Sequence, residues 1–342
     1  MKRMRGLGPL ALLAAGLLGN SSSALLAQPI GGDHSQISFV VAFNPGGTYD
    51  TYARLVAHHL SRQLPGSPAI IIHNMQGANG ARGAGYLAEQ AARDGTVIGM
   101  TSQAVPLRQV LKDASIKFDV GQLNWIGRIS SSVEATIVWH SSPTKTVEDA
   151  RRRETIVAAT GENGTPDTNP RLMNEFAGTR FKVVTGYPGA GATMLAMERG
   201  EVEGAYTGLE NLLSTKSDWL REGKIRVLVQ YSQERHKSFP DVPAMVEFAR
   251  TPEDKRILSL YASAAEIGIA LLAPPRLSAE VLSRLRRAFD AMVADPAFLA
   301  DAASKKMDVQ PMRGEALQTL VAEVLTTPPD LAARAAAAGH AH

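Results

Sequence analysis

Two stretches of this chain combine residue types and spacing suited to holding an anion. Val40-Val41-Ala42-Phe43-Asn44-Pro45-Gly46 and Val183-Val184-Thr185-Gly186-Tyr187-Pro188-Gly189 both read Val-Val, three residues, then Pro-Gly before a helix. Helix starts carry unpaired N–H groups and the positive end of the helix dipole. Glycine lets a ligand approach the backbone there. Neither Asn44 to Tyr49 nor Tyr187 to Thr193 contains Lys or Arg. The chemistry they offer is therefore capture of an acid group by neutral donors. One station in each half of the chain makes a two-sided clamp.

Patterns for covalent chemistry are missing. The chain has no G-x-S-x-G elbow, no phosphate-binding G-x-x-x-x-G-K-[ST] loop and no H-E-x-x-H pair. Gly80-Ala81-Arg82-Gly83-Ala84-Gly85 has G-x-x-G-x-G spacing, which is not the dinucleotide fingerprint. His58 and His59 are neighbours and point about 100° apart on a helix, a poor arrangement for sharing a metal. With no cysteine, disulfides, thiolate metal sites and cysteine nucleophiles are excluded. No catalytic residue, metal or cofactor is expected. Asp50 and Arg54, at i and i+4, are either a local ion pair or a ligand-ordering pair.

The elements that must position these residues alternate. Ile37 to Phe43 is a strand, Tyr49 to Leu64 has helical spacing, Ala69 to Ile72 is a strand, and a glycine-rich turn from Gly77 opens a helix before the strand Thr96 to Met100. The rhythm returns with strands at Thr155 to Ala159, Phe181 to Thr185, Val202 to Tyr206, Ile225 to Tyr231 and Ile267 to Leu272. Helices are expected at Asp167 to Ala177, at Ala192 to Arg199 and from Ser278 onward. Such alternation implies parallel sheets covered on both faces, an α/β fold. Ligands then sit beyond the carboxyl ends of the strands.

The first residues have a different character. Lys2, Arg3 and Arg5 precede an apolar stretch from Leu7 to Leu18, then the small residues up to Ala27. This order is that of a secretory signal peptide over 1–27, cleaved after Ala24 or Ala27. The apolar stretch has 12 residues, fewer than the roughly 20 needed to span a bilayer. The chain holds 36 basic and 33 acidic residues, and the leader accounts for three of the basic ones. The remainder is formally neutral, so nothing favours nucleic-acid binding.

Several motifs in order resemble one family. Phe43-Asn44-Pro45-Gly46-Gly47-Thr48-Tyr49-Asp50-Thr51-Tyr52-Ala53-Arg54 is similar to the P-x-G-G-x-x-D-x-x-A-R signature of Bug-type receptors. These are the extracytoplasmic substrate-binding proteins of tripartite tricarboxylate transporters. Asn74-Met75-Gln76-Gly77-Ala78-Asn79-Gly80 resembles their second loop, Arg93-Asp94-Gly95-Thr96 the step before their third strand, and Ala273-Pro274-Pro275 a late strand end. The resemblance implies a type II periplasmic-binding-protein fold, with two α/β lobes, a hinge and a ligand cleft between them. Lobe 1 would take residues 28–132 and 236–342, and lobe 2 residues 133–235.

It also implies a soluble periplasmic receptor, acting as a monomer, that captures a small carboxylate for integral-membrane transporter subunits. A receptor that signals without transport is the alternative. Expected ligand-binding positions are Asn44, Pro45, Gly46, Gly47, Thr48, Tyr49 and Asp50 in the first loop, with Gly77, Ala78, Asn79 and Gly80 in the second. Ser102 and Gln103 follow the third strand; Gly164, Thr165, Tyr187, Pro188, Gly189 and Thr207 come from the other lobe. Three departures from the family pattern bear on the ligand: Tyr49 in the first loop, the long polar loop from Gly161 to Thr168, and Tyr187-Pro188-Gly189.

Overall fold

A computed structural model describes residues 36–161 and 164–339. The expected signal peptide over 1–27 lies outside the described residues. Eleven strands are present among them: β1 (Gln36–Val41), β2 (Ala69–Asn74), β3 (Val97–Met100), β4 (Asn124–Ser130), β5 (Glu134–Trp139), β6 (Thr155–Ala158), β7 (Phe181–Val184), β8 (Gly204–Gly208), β9 (Ile225–Tyr231), β10 (Ile269–Ala273) and β11 (Met312–Arg313). They form two sheets, one ordered β11-β4-β10-β3-β1-β2 and the other β7-β6-β8-β5-β9. The first sheet draws on both ends of the described chain, the second on its middle.

Alternation within strands assigns side chains to the two faces of each sheet. Phe39 and Val41 pack with Ile98, Ile126 and Phe289 on one face of the first sheet, while Val40 packs with Leu87, Trp125, Leu272 and Leu317 on the other. The second sheet is covered likewise. Val138, Val157, Leu172 and Phe176 lie on one side and Ile137, Ala158, Met197 and Trp219 on the other.

The sheets are not wholly parallel, as the alternation had suggested. β1 runs parallel to β2 and β3, and β6 to β7 and β8, but β10 is antiparallel to β3 and β4, and β5 to β8 and β9. The cause lies in how the chain changes sheets. β4 ends at Ser130 and β5 begins at Glu134, so the chain runs straight on into the second sheet, with no helix to reverse it. It returns through the helix Pro252–Ile267 into β10. The two crossings touch: Ser132 N–H donates to the Ala265 carbonyl at 3.0 Å. Gly268, at φ +59°, lies so close to Ser130 that a Cβ would stand 2.2 Å from its carbonyl oxygen.

Helix limits follow the expected spacing closely. The first helix spans Thr48–Leu60 and tightens into a 3-10 turn at Ser61–Gln63. The helix of the middle segment starts at Thr165 rather than Asp167. The last helix, Pro329–Gly339, packs on Thr165–Ala177 and Pro252–Ile267, with Tyr261 Oη donating to the Ala335 carbonyl at 2.9 Å.

Candidate ligand-binding site

Strand ends from both sheets open on one cleft of about 920 Å³. The loop after β1 supplies Asn44, Gly46, Gly47, Thr48 and Tyr49; Asn79 follows β2, and Ser102 and Gln103 follow β3. From the other sheet come Gly164 and Thr165 after β6, and Thr207 in β8. Because β5 is antiparallel to β8, its first residue Glu134 pairs with Gly208 and reaches the same wall.

The remaining expected positions stand behind this wall. Pro45 and Asp50 line a separate groove with Arg54 and Asp301. Asp50 organises the first loop: it accepts from Gly46 N–H at 2.9 Å, Asn74 Nδ2 at 2.9 Å and Arg54 Nε at 2.8 Å. Burial raises its carboxyl, but these three donors outweigh burial and hold it below the usual carboxylate range. Of the second loop only Asn79 faces the cleft. Gly77, Ala78 and Gly80 shape the turn, and Gly80 packs so tightly that a Cβ would lie 2.9 Å from that of Ser102. Tyr187, Pro188 and Gly189 do not line the cleft; Ala190, Gly191 and Thr193, in the helix they introduce, do.

The capping pattern separates cleft-facing helices from many of the rest. The helices Thr48–Leu60, Thr165–Ala177, Ala190–Glu198 and Leu209–Ser214 are capped by Gly47, Gly164, Gly189 and Gly208, with no side-chain cap bond. Four helices that start elsewhere use Thr146, Thr251, Ser278 and Asp295, whose side chains accept from the first turn, while Ala81–Glu89, Ser217–Arg221 and Gly314–Leu325 have no side-chain cap bond. A side-chain cap occupies first-turn donors, whereas a glycine leaves them for another acceptor.

Among the described residues, Arg108, Lys112 and Lys216 are the cations on the cleft wall. Arg108 donates to the Ala78 and Asn79 carbonyls at 2.9 and 3.0 Å and pairs with Asp113 at 2.9 Å. Lys216 stands over the Trp219 ring, 4.0 Å from its centroid.

Acids on the wall are less well matched. Burial pushes the Glu134 carboxyl up to about 7, against lowering hydrogen bonds from Tyr206 and Thr165. Glu210 is pushed to about 7 by burial, with its own N–H and that of Val133 opposing, and Asp308 and Glu134 adding repulsion. Tyr206 donates to Glu134 and accepts from Asn169 Nδ2 at 2.9 Å. Tyr49 stacks on Phe43 at 4.3 Å, and its hydroxyl accepts from Gln103 N–H at 3.2 Å. The residue types gave no sign of Glu134 or Glu210 as site groups; the available signal was an acid at the head of the apolar run Ala135 to Trp139 and another just past the end of β8.

Two α/β sheets with strand ends on a shared cleft, joined by two adjacent crossings, define a two-lobed protein of the type II periplasmic-binding-protein fold. The family model for the tripartite tricarboxylate transporter family receptor matches residues 52–330, and the chain belongs to that family. A UPF0065 protein from Bordetella bronchiseptica is 28% identical over 320 residues, which is 92% of this chain and 87% of the relative. The periplasmic binding protein BugD superposes with TM-score 0.67 at 21% identity, covering 89% of this chain and 97% of BugD. The R. palustris protein Rpa4515, solved with adipate, superposes with TM-score 0.66 at 20% identity, covering 88% of this chain and 97% of its own.

Proposed function

We propose that this chain is an exported receptor that binds a small carboxylate in the cleft and delivers it to the membrane subunits of a tripartite tricarboxylate transporter. The leader directs export and is removed after Ala24 or Ala27. The lobes are residues 28–132 with 236–342, and residues 133–235. The chain acts as a monomer, without metal or cofactor and without catalysis.

The observation that carries this reading is the set of glycine-capped helix starts at Gly47, Gly164 and Gly189. Their first-turn N–H groups can meet an acid group in charge-assisted bonds of roughly 1.5–3 kcal/mol each. Arg108 is held by the second-loop carbonyls and Asp113, and Lys216 stands over Trp219; Lys112 is the third cation of the wall, and we assign the acid group to the backbone donors. The adipate held by Rpa4515 indicates the size and charge of ligand to try first.

A thermal-shift screen of adipate, succinate and citrate tests this. A ligand at about a hundred times its dissociation constant adds about 2.7 kcal/mol of stability. Gly47→Val should weaken the binding found, because Gly47 has φ −80° and room for a Cβ, so the variant folds while its side chain crowds the donors. Arg82→Ala should not, since Arg82 lies off the cleft wall. Loss of binding in Arg82→Ala with normal binding in Gly47→Val would overturn the backbone clamp.

A further inference from the structure

One side of the cleft is rich in acceptors. Glu134 and Glu210 line it from β5 and from the helix Leu209–Ser214, and neither carboxyl forms an ion pair with a described residue. Gln103 lines the same cleft, only 5% exposed; its Nε2 donates to the Ser132 carbonyl at 3.2 Å, but its Oε1 is buried without a partner. Tyr49 ties the three together: its hydroxyl takes the Gln103 N–H, and its ionisation feels the charges of both glutamates. Two half-buried carboxyls and an orphaned amide oxygen around one space are costly unless something supplies donors and positive charge. An alkylammonium group supplies both, with three N–H donors.

We propose that Glu134, Glu210 and Gln103 form a subsite for a protonated amine, so that the ligand is an amino-carboxylate whose acid end meets the glycine-capped helix starts. The inference rests on the carboxylate-receptor reading and narrows it. A simple dicarboxylate would bring a second negative charge against Glu134 and Glu210. Arg108, Lys112 and Lys216 also line the cleft, but none of them forms an ion pair with Glu134 or Glu210. The groups around the carboxyls are Tyr49 on the first helix, Tyr206 on β8, Tyr231 on β9 and Asp308 before β11, none of them cationic. Both carboxyls titrate near 7, so the subsite carries its charge in mildly alkaline solution and loses it on acidification.

The test is calorimetry on the full chain with α-aminoadipate and ε-aminocaproate, each against adipate, and with putrescine as a cation lacking an acid group. At about pH 8, at least one amino-carboxylate should bind about tenfold or more tighter than adipate. The advantage should shrink in Glu134→Gln and in Glu210→Gln, and in the unaltered chain at about pH 5.5, where the carboxyls hold their protons. The pH arm decides the matter should either variant fail to fold. If adipate binds as tightly as both amino-carboxylates, with the same pH dependence, the amine subsite is wrong while the carboxylate receptor stands. Binding of putrescine alone, lost in the glutamine variants, would support the subsite and overturn the carboxylate reading. Silence from all four probes would overturn both.

Discussion

The carboxyls of Glu134 and Glu210 prefer a proton in the folded chain. Unfolded, a glutamate releases its proton near 4.5; folded, each of these does so at about 7. Between those values the folded state holds more protons. The stability linked to them is fully present below about 4.5 and is lost as pH rises through about 7. A shift of that size corresponds to roughly 3 kcal/mol, and contact with solvent in the cleft lowers it to about 2 kcal/mol per group. Urea unfolding of the unaltered chain and of Glu134→Gln, from about pH 5 to about pH 8, checks this. The glutamine variant should gain on the parent by about 2 kcal/mol as pH rises, and parallel curves would count against it. Residues of the first loop were legible in the sequence because proline, glycine and a following helix are local signals. Glu134 was not, since an acid at a strand start reads as solvated until β8 is known to lie beside it. Asp50 left two readings open; only the contacts to Gly46 and Asn74 make it a brace of the loop.

Among the elements, the joint between sheets is the most constrained. Gly268 closes the helix Pro252–Ile267 at φ +59°, in a conformation that side chains rarely adopt, and has no room beside Ser130. Gly268→Ala should cost about 2–4 kcal/mol, through backbone strain and steric overlap. Gly191→Ala is the contrast. That glycine lies inside the helix Ala190–Glu198 with nothing within 4 Å of a Cβ, so alanine should be neutral or stabilise by up to about 1 kcal/mol. Denaturation midpoints of the pair decide it, and a Gly268→Ala variant as stable as Gly191→Ala would count against strain at the joint. Helices were the better read of the elements, because their apolar spacing is periodic. β4 was not foreseen: Gly127 and Arg128 interrupt its apolar run, and Arg128 is buried only because the Glu266 and Gln310 carbonyls receive it at 2.6 and 3.2 Å.

At the scale of the molecule, two lobes joined at adjacent crossings should close on what they bind. Small-angle scattering with and without a ligand confirmed by calorimetry should show a smaller radius of gyration when bound; an unchanged value would indicate a cleft already closed. An α/β plan of sheets covered on both faces was legible from alternation, whereas the division into two lobes came from the family resemblance. Strand direction was not, because antiparallel β5 and β10 arise where the chain changes sheets, and no local residue pattern encodes a neighbour far away in sequence.

The chain has three tryptophans, unevenly placed. Trp125 is sealed in the first sheet, while Trp139 and Trp219 meet edge to face at 5.0 Å beside the second, with Lys216 over Trp219 and also on the cleft wall. Indole emission responds to nearby charge and to polarity. Closure of the cleft should therefore alter the emission of the Trp139–Trp219 pair against a steady background from Trp125, so that capture of a ligand is timed by mixing, with no dye attached.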